Sequence, residues 1–250
     1  MTETSRQYDN LADRYAASDS LLIRAWAEYP VFRRELGDLI GRNVLDLACG
    51  TGFYTNIAAQ LGANRVVGVD ASLEMIDAAR ELATHDNIEF LVHDITTMPI
   101  LGEFDVVIAA FLLNYAPTRT ALDAMCARIA AHLRPGGRLV ADIPRSGYDR
   151  QRPMSAKYGY TYEWPSDLSD GDTFTFTLHL ASPLTIRCTW WSDTTYQNAL
   201  TSAGLTDVHF HPWKPTEEGM SNHDTGFWDE WNANPLAQVI TATKPPVGDA

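Results

Sequence analysis

The chain has 250 residues and a formal net charge of −13. That length fits one large domain, or one domain with a small lid. The acidic balance, with Arg33-Arg34 as the one adjacent basic pair, argues against nucleic acid and anionic membrane as partners, because phosphate surfaces are met by clustered Lys and Arg. No run of 18 apolar residues marks a spanning helix. The start M-T-E-T-S-R-Q-Y-D-N lacks the charged-then-apolar order of a secretory signal. Cys49, Cys126 and Cys188 are scattered, odd in number and form no CxxC pair. Reduced thiols in a cytoplasmic protein are therefore expected, with no disulfide and no metal site.

Residues 5–40 are expected to be helical, since Leu11, Tyr15, Leu22, Trp26 and Tyr29 recur at roughly helical spacing before Gly41. Strands and helices then alternate. Strands are expected at 43–47, 65–69, 87–92, 104–110 and 138–143. Helices are expected at 54–61, at 72–83 with Ser72 as N-cap, and at 120–133, the last stopped by R-P-G-G. The strands are mostly apolar, which indicates a parallel sheet covered on both faces. Residues 144–172 show no period and read as loop or lid. T-F-T-F-T-L-H-L (173–180) and T-I-R-C-T-W-W (185–191) flank Ala181-Ser182-Pro183 and read as an antiparallel hairpin. A helix at 194–203, strands at 208–211 and 238–243 and a frayed tail complete the chain.

The stretch V-L-D-L-A-C-G-T-G (44–52) is a strand feeding a glycine turn before a helix. Glycine permits positive φ and lets a ligand lie directly on the backbone. Open parallel sheets bind ligands at the carboxyl ends of strands, where the winding reverses. Asp70 ends the second strand, twenty residues after Gly50, and an acid there can accept both hydroxyls of a ribose. Asp94 ends the third strand and can accept from an exocyclic amine, with Ile95 and Met75 against a flat base. Together these residues describe a nucleoside pocket. A dinucleotide turn would prefer G-x-G-x-x-G, but Thr55 stands at the third glycine. Asp46, just upstream, would repel a pyrophosphate and suits a cofactor that carries an ammonium group.

These stretches, with F-D-V-V-I-A-A-F at the fourth strand and L-R-P-G-G-R-L at 133–139, resemble the class I S-adenosylmethionine-dependent methyltransferases. The resemblance covers roughly residues 40–145. It implies an α/β, Rossmann-like, seven-stranded mostly parallel sheet with helices on both faces, an N-terminal helical cap and an inserted β-hairpin lid. The expected organisation is one domain: cap 1–40, cofactor-binding core 41–143, lid and substrate insertion 144–193, the rest of the core 194–244, and tail 245–250. The resemblance also implies that Asp46, Ala48, Gly50, Thr51 and Gly52 hold the methionine end of S-adenosylmethionine. Asp70 and Ala71 would take the ribose, and Met75, Asp94 and Ile95 the adenine. Ala110, Phe111 and Tyr115, after the fourth strand, would meet the methionyl part. The Q-Y-D-N-L-A-D-R-Y segment resembles one that closes over the cofactor, which would put Tyr8 and Tyr15 near the sulfonium or carboxylate, with Arg24 as a carboxylate partner. The N-terminal Tyr segment, the S-x-S-L-L-I-R stretch and the turn together resemble toxoflavin-type azapteridine N-methyltransferases, which implies a flat heteroaromatic acceptor in secondary metabolism.

Methyl transfer from a sulfonium needs an aligned nucleophile and a dry site more than a dedicated acid or base, and no residue stands out as catalytic. His179 in the hairpin is the candidate base; His209, His211, His223 and Tyr148 are weaker candidates, and His93 reads as structural. Tyr8, Trp164, His179 and Trp191 are candidates for the acceptor pocket, with Trp190 and Trp191 on opposite strand faces and core packing as the alternative for both. The acidic stretches S-D-L-S-D-G-D and T-E-E-G lack fixed metal-ligand spacing. Expected partners are a small-molecule acceptor and S-adenosylmethionine. The rival readings are a nicotinamide-dependent oxidoreductase and a non-catalytic S-adenosylmethionine-binding protein.

Overall fold

A computed structural model describes residues 11–153 and 156–246. Its main sheet has seven strands: β1 (Asn43–Leu47), β2 (Arg65–Asp70), β3 (Ile88–Val92), β4 (Phe104–Ile108), β5 (Leu133–Pro144), β9 (Thr206–Pro212) and β10 (Ala237–Thr243). Their spatial order is β3-β2-β1-β4-β5-β10-β9. β1 to β5 run parallel, and β10 runs antiparallel to both of its neighbours. The chain steps outward from β1 to β3 and then returns to β4 on the other side of β1, so the winding reverses between β1 and β4. A crevice opens at the carboxyl ends there.

Strand alternation sorts the core into two faces. Val44, Val66, Val106 and Val140 point to one side, against Phe32, Leu36, Tyr54 and Ala58. Leu45, Val67, Val107 and Leu139 point to the other, against Leu122, Cys126, Ile129 and Leu200. The first side is covered by α2 (Tyr29–Leu36) and α3 (Phe53–Gln60), the second by α5 (Arg119–His132) and α6 (Asp193–Ser202). Ser72 caps α4 (Leu73–Glu81) as expected, its hydroxyl accepting from the Met75 N–H at 3.4 Å.

Three features depart from the sequence expectation. The helix before R-P-G-G ends at His132, and β5 begins at once and takes the two glycines into the strand. Its partner is remote: Gly136 N–H donates to Lys244 O and Lys244 N–H to Gly137 O. A Cβ at Gly137 would lie 2.9 to 3.1 Å from three backbone oxygens, so only glycine fits. The N-terminal region is not one helix. The short α1 (Ala12–Ala16) runs into a 3-10 turn (Ala17–Ser20), and a π turn (Arg24–Glu28) precedes α2. Finally, the hairpin of β7 (Thr173–Leu178) and β8 (Leu184–Thr189) forms with Phe176 opposite Ile186, but it gains a third strand, β6 (Tyr160–Glu163), with Tyr162 opposite Phe176. Four residues are too few to display a period.

Candidate functional site

The turn after β1 is built for close approach. Gly50 (φ 54°) and Gly52 (φ 85°) both take positive φ, and so does Ala48 (φ 58°), an uncommon state for a residue with a side chain. Cys49 N–H donates to Val69 O at 3.0 Å and ties the turn to β2. Asp70 fixes it further: one carboxylate oxygen accepts from Gly50 N–H at 3.0 Å and the other from Ser72 N–H at 2.9 Å. Burial pushes this carboxyl up, and the Ser72, Gly50 and Ala71 amides oppose that shift. The ring of Tyr15 stands 3.4 Å from where a Gly50 Cβ would be, so α1 roofs the turn.

Under this roof lies a cavity of about 260 Å³. Its walls come from successive strand ends: Leu47, Ala48 and Gly50 after β1; Val69, Asp70, Ala71 and Met75 after β2; His93, Asp94, Ile95 and Thr96 after β3; Ala110, Phe111, Leu112, Tyr115 and Pro117 after β4; then Ala121 and Met125 of α5. Tyr15 closes it. Phe111 is a second non-glycine residue at positive φ (54°), its N–H donating to Asp142 O at 2.9 Å. The Asp94 carboxylate accepts from Thr96 through both backbone (2.9 Å) and hydroxyl (2.6 Å). The donor and acceptor set fits an adenosyl cofactor: acids at two strand ends, apolar Met75 and Ile95 for a flat base, and exposed backbone at the glycine turn. His93, which reads as structural in the sequence, lines the cavity. Pro117, Ala121 and Met125 line it without carrying any sequence signal beyond helix packing.

Asp46, Thr51, Gly52 and Arg24, among the expected cofactor residues, do not line this cavity. Tyr8 lies outside the described residues. Asp46 is 1% exposed and sits under the turn, where its carboxylate accepts from the Thr55 hydroxyl at 2.6 Å and joins β1 to α3. Thr51 is buried and borders an outer groove with Phe53 and Asn56. Arg24 also lies off the cavity wall. It is buried, ion-paired with Glu28 at 3.1 Å and with Asp19, and stacked over the Phe53 ring at 4.3 Å. Gly52 completes the bend as the left-handed N-cap of α3.

Burial raises Asp46 to about 7, with Asp70 adding to the shift and Thr55 opposing it. The folded chain therefore holds a proton that the unfolded chain has lost once pH passes the ordinary carboxylate value of 3.8. The sign follows: stability falls as pH rises through this window, by up to about 1.4 kcal/mol per pH unit. Asp19, raised by burial to about 6, acts in the same direction. Thermal melts are expected to occur at a lower temperature at pH 8 than at pH 5. Asp46→Asn, which keeps an acceptor for Thr55, is expected to flatten that dependence.

A second, enclosed cavity adjoins the first, with Tyr15 and Phe111 lining both. Tyr160, Tyr162, Phe176 and Leu178 of the small sheet line it, together with Ser18, Arg24, Asn114 and Pro144. Its volume, about 20 Å³, admits roughly one water molecule. The other expected acceptor residues are not on its wall. His179 is exposed and shares a 2.8 Å hydrogen bond with the Thr161 hydroxyl. Trp164 stacks on Phe174 at 4.6 Å and meets Trp190 edge-on, so it packs the small sheet. Trp190 and Trp191 do face opposite ways, into the two different cores, and the Trp191 indole donates to Ala116 O at 3.2 Å. His209 and His211 lie on the edge strand β9, and His223 stacks on Phe227. Among the described residues no cluster of His, Cys, Asp and Glu is placed to hold a metal ion, and no helix is long and apolar enough to cross a membrane.

Comparison with known proteins supplies the context for this site. Residues 44–137 match the family described as a methyltransferase domain. The ribosomal protein L11 methyltransferase of Dechloromonas aromatica is 44% identical over 96 residues, which cover 38% of this chain and 30% of that protein. Its Burkholderia ambifaria counterpart is 33% identical over 99 residues, 40% of this chain and 31% of that protein. The match thus spans under a third of these relatives' length. Among solved structures, an S-adenosylmethionine-dependent methyltransferase from Mesorhizobium loti superposes with a TM-score of 0.66 at 20% identity, covering 90% of this chain and 99% of that one. DhpI in complex with S-adenosylhomocysteine (SAH) gives 0.64 at 20%, covering 98% and 96%. The N-methyltransferase NodS of Bradyrhizobium japonicum gives 0.56 at 18%, covering 95% and 99%. Residues 44–137 are thus similar to a methyltransferase domain, and the chain shares the fold of solved S-adenosylmethionine-dependent methyltransferases.

Proposed function

We propose that this protein transfers the methyl group of S-adenosylmethionine to nitrogen or oxygen of a small, flat heteroaromatic molecule, with azapteridine-like rings of secondary metabolism as the leading case. The observation that carries this reading is the convergence of the glycine turn, Asp70 and Asp94 on one cavity at the reversal point of the sheet. In this reading Asp70 accepts the two ribose hydroxyls, and Asp94, Ile95 and Met75 hold the adenine. The backbone at Ala48 and Gly50, with Tyr15, Ala110, Phe111 and Tyr115, surrounds the methionyl end, while Asp46 and Thr51 hold the turn from behind. When bound, the cofactor would supply an electrophilic methyl group to the acceptor's nitrogen or oxygen, leaving S-adenosylhomocysteine in the first cavity. Tyr15 and Phe111 stand at the boundary between the two cavities, so the acceptor's place is the aromatic second cavity, and the lid is the small sheet with the N-terminal helices. These walls exclude water and orient the ring.

The L11 relatives modify a ribosomal protein by name, but the aromatic side chains that the small sheet turns toward the second cavity suit the face of a flat ring better than an extended peptide. Titration of the protein with SAH and with NADH, followed by calorimetry, tests the cofactor reading. SAH binding with no NADH binding is expected. Preference for NADH would replace the proposal with a nicotinamide-dependent oxidoreductase. SAH binding without methyl transfer to any member of a flat heteroaromatic panel would point to a non-catalytic binding protein.

A further inference from the structure

We propose that Asn114 selects the acceptor, its side chain taking a hydrogen bond from an N–H on the edge of a neutral aromatic ring in the second cavity. This inference rests on the reading of that cavity as the acceptor site. Asn114 is 0% exposed, in the short 3-10 turn (Leu113–Tyr115) that follows β4. Its Nδ2 donates to Cys188 Sγ at 3.1 Å, and its Oδ1 is buried with no hydrogen-bond partner. The vacant atom is thus the amide oxygen, an acceptor, with the amide nitrogen turned to the thiol.

A buried polar atom without a partner is costly, and such atoms are rare in folded proteins. Among the described residues, four other side chains carry an atom of this kind: Arg14, Arg138, Tyr196 and His223. None of those four lines the second cavity, whereas Asn114 does. Other polar groups of the cavity are engaged: Arg24 is paired with Glu28 and Asp19 and bonds the Ser18 hydroxyl, and the Tyr160 hydroxyl donates to Glu28 at 3.4 Å. The Cys188 thiol behind Asn114 is held neutral by burial, which pushes it up to about 12. The cavity therefore offers aromatic faces, the vacant Asn114 acceptor and the Tyr162 hydroxyl, and its one lining charge, Arg24, is paired. That combination recognises a neutral ring with a donor on its edge and disfavours both anionic acceptors and rings whose nitrogens are fully substituted. Seating a ring requires the small sheet, which shares no ladder with the main sheet, to move outward from the core it packs against.

Two probes of one ring system test this: lumazine, which carries ring N–H groups, and 1,3-dimethyllumazine, which lacks them. Binding of each is measured by calorimetry at saturating SAH, on wild type and on Asn114→Leu. Wild type is expected to bind lumazine at least tenfold more tightly than the dimethyl compound. Asn114→Leu is expected to lose that preference while binding SAH as wild type does. It is also expected to melt no lower than wild type, since leucine removes an unpaired polar atom. Absence of the preference in wild type, its survival in the variant, or a variant that melts several degrees lower would each overturn the assignment; the last would mark Asn114 as structural. Failure of wild type to bind SAH would instead overturn the cofactor reading on which the inference rests.

Discussion

Asp70→Ala is expected to weaken SAH binding by a hundredfold or more. Each Asp70 oxygen already accepts one backbone N–H, from Gly50 and from Ser72. A carboxylate offers about four lone-pair sites, so one remains on each oxygen, enough for the two adjacent hydroxyls of a ribose. Hydrogen bonds to a charged group contribute about 1.5–3 kcal/mol each. Losing two corresponds to at least a hundredfold in affinity. The substitution also frees the Gly50 amide and loosens the turn on which the methionyl end would rest. Asp70→Asn keeps one acceptor oxygen and is expected to fall between wild type and alanine. Calorimetric titration checks the series, with a thermal melt to show that β2, whose Val66, Val67 and Val69 are buried, remains in place. A change below threefold would mean that no ribose sits on Asp70.

The second large effect concerns stability. Arg24→Met is expected to cost about 3–5 kcal/mol, because it leaves a buried carboxylate without its cation. Glu28 is 0% exposed and accepts from Arg24, from Tyr54 (2.8 Å) and from Tyr160 (3.4 Å). The same Tyr54 hydroxyl lies 3.3 Å from Asp142, which also accepts from the Trp213 indole at 2.7 Å. Burial, reinforced by Glu28, holds the Asp142 carboxyl well above the usual range. The melting temperature should drop by about 10 °C. Adding Glu28→Gln, which restores neutrality and keeps an acceptor for Tyr54, is expected to recover most of it. SAH affinity should stay within threefold throughout, because Arg24 is not on the wall of the first cavity. A single variant that melts like wild type would show that Asp19 and solvent compensate for the lost pair.

The fold was legible where a strand is buried on both faces, because β1, β2 and β4 then read as apolar runs. The glycine turn and the acids at 70 and 94 stand at strand ends, so locating the strands located those side chains too. Other features depend on partners far along the chain. The R-P-G-G stretch becomes strand only because residues near Lys244 lie beside it. Tyr160–Glu163 becomes strand only because β7 is already there. Arg24 carried a sequence hint that it was engaged, since Glu28 follows four residues later, but the Asp19 contact requires the breaks between α1 and α2. The Trp190-Trp191 pair obeyed strand alternation, and both rings pack into core, the Trp191 indole donating to Ala116 O. The vacancy at Asn114 is invisible in sequence, because it arises from what its surroundings fail to supply.

The isolation of the small sheet has an evolutionary consequence. The first cavity draws on residues 47–125 together with Tyr15, while the second draws on 15–24 and 144–178 together with Phe111 and Asn114. With no ladder shared between the sheets, residues 145–191 can drift or recombine as a cassette without disturbing the strand ends around Asp70. Descendants of such a chain could diversify in the rings they accept while retaining one inherited methyl donor, with Tyr15 and Phe111 as the two positions where both pressures meet.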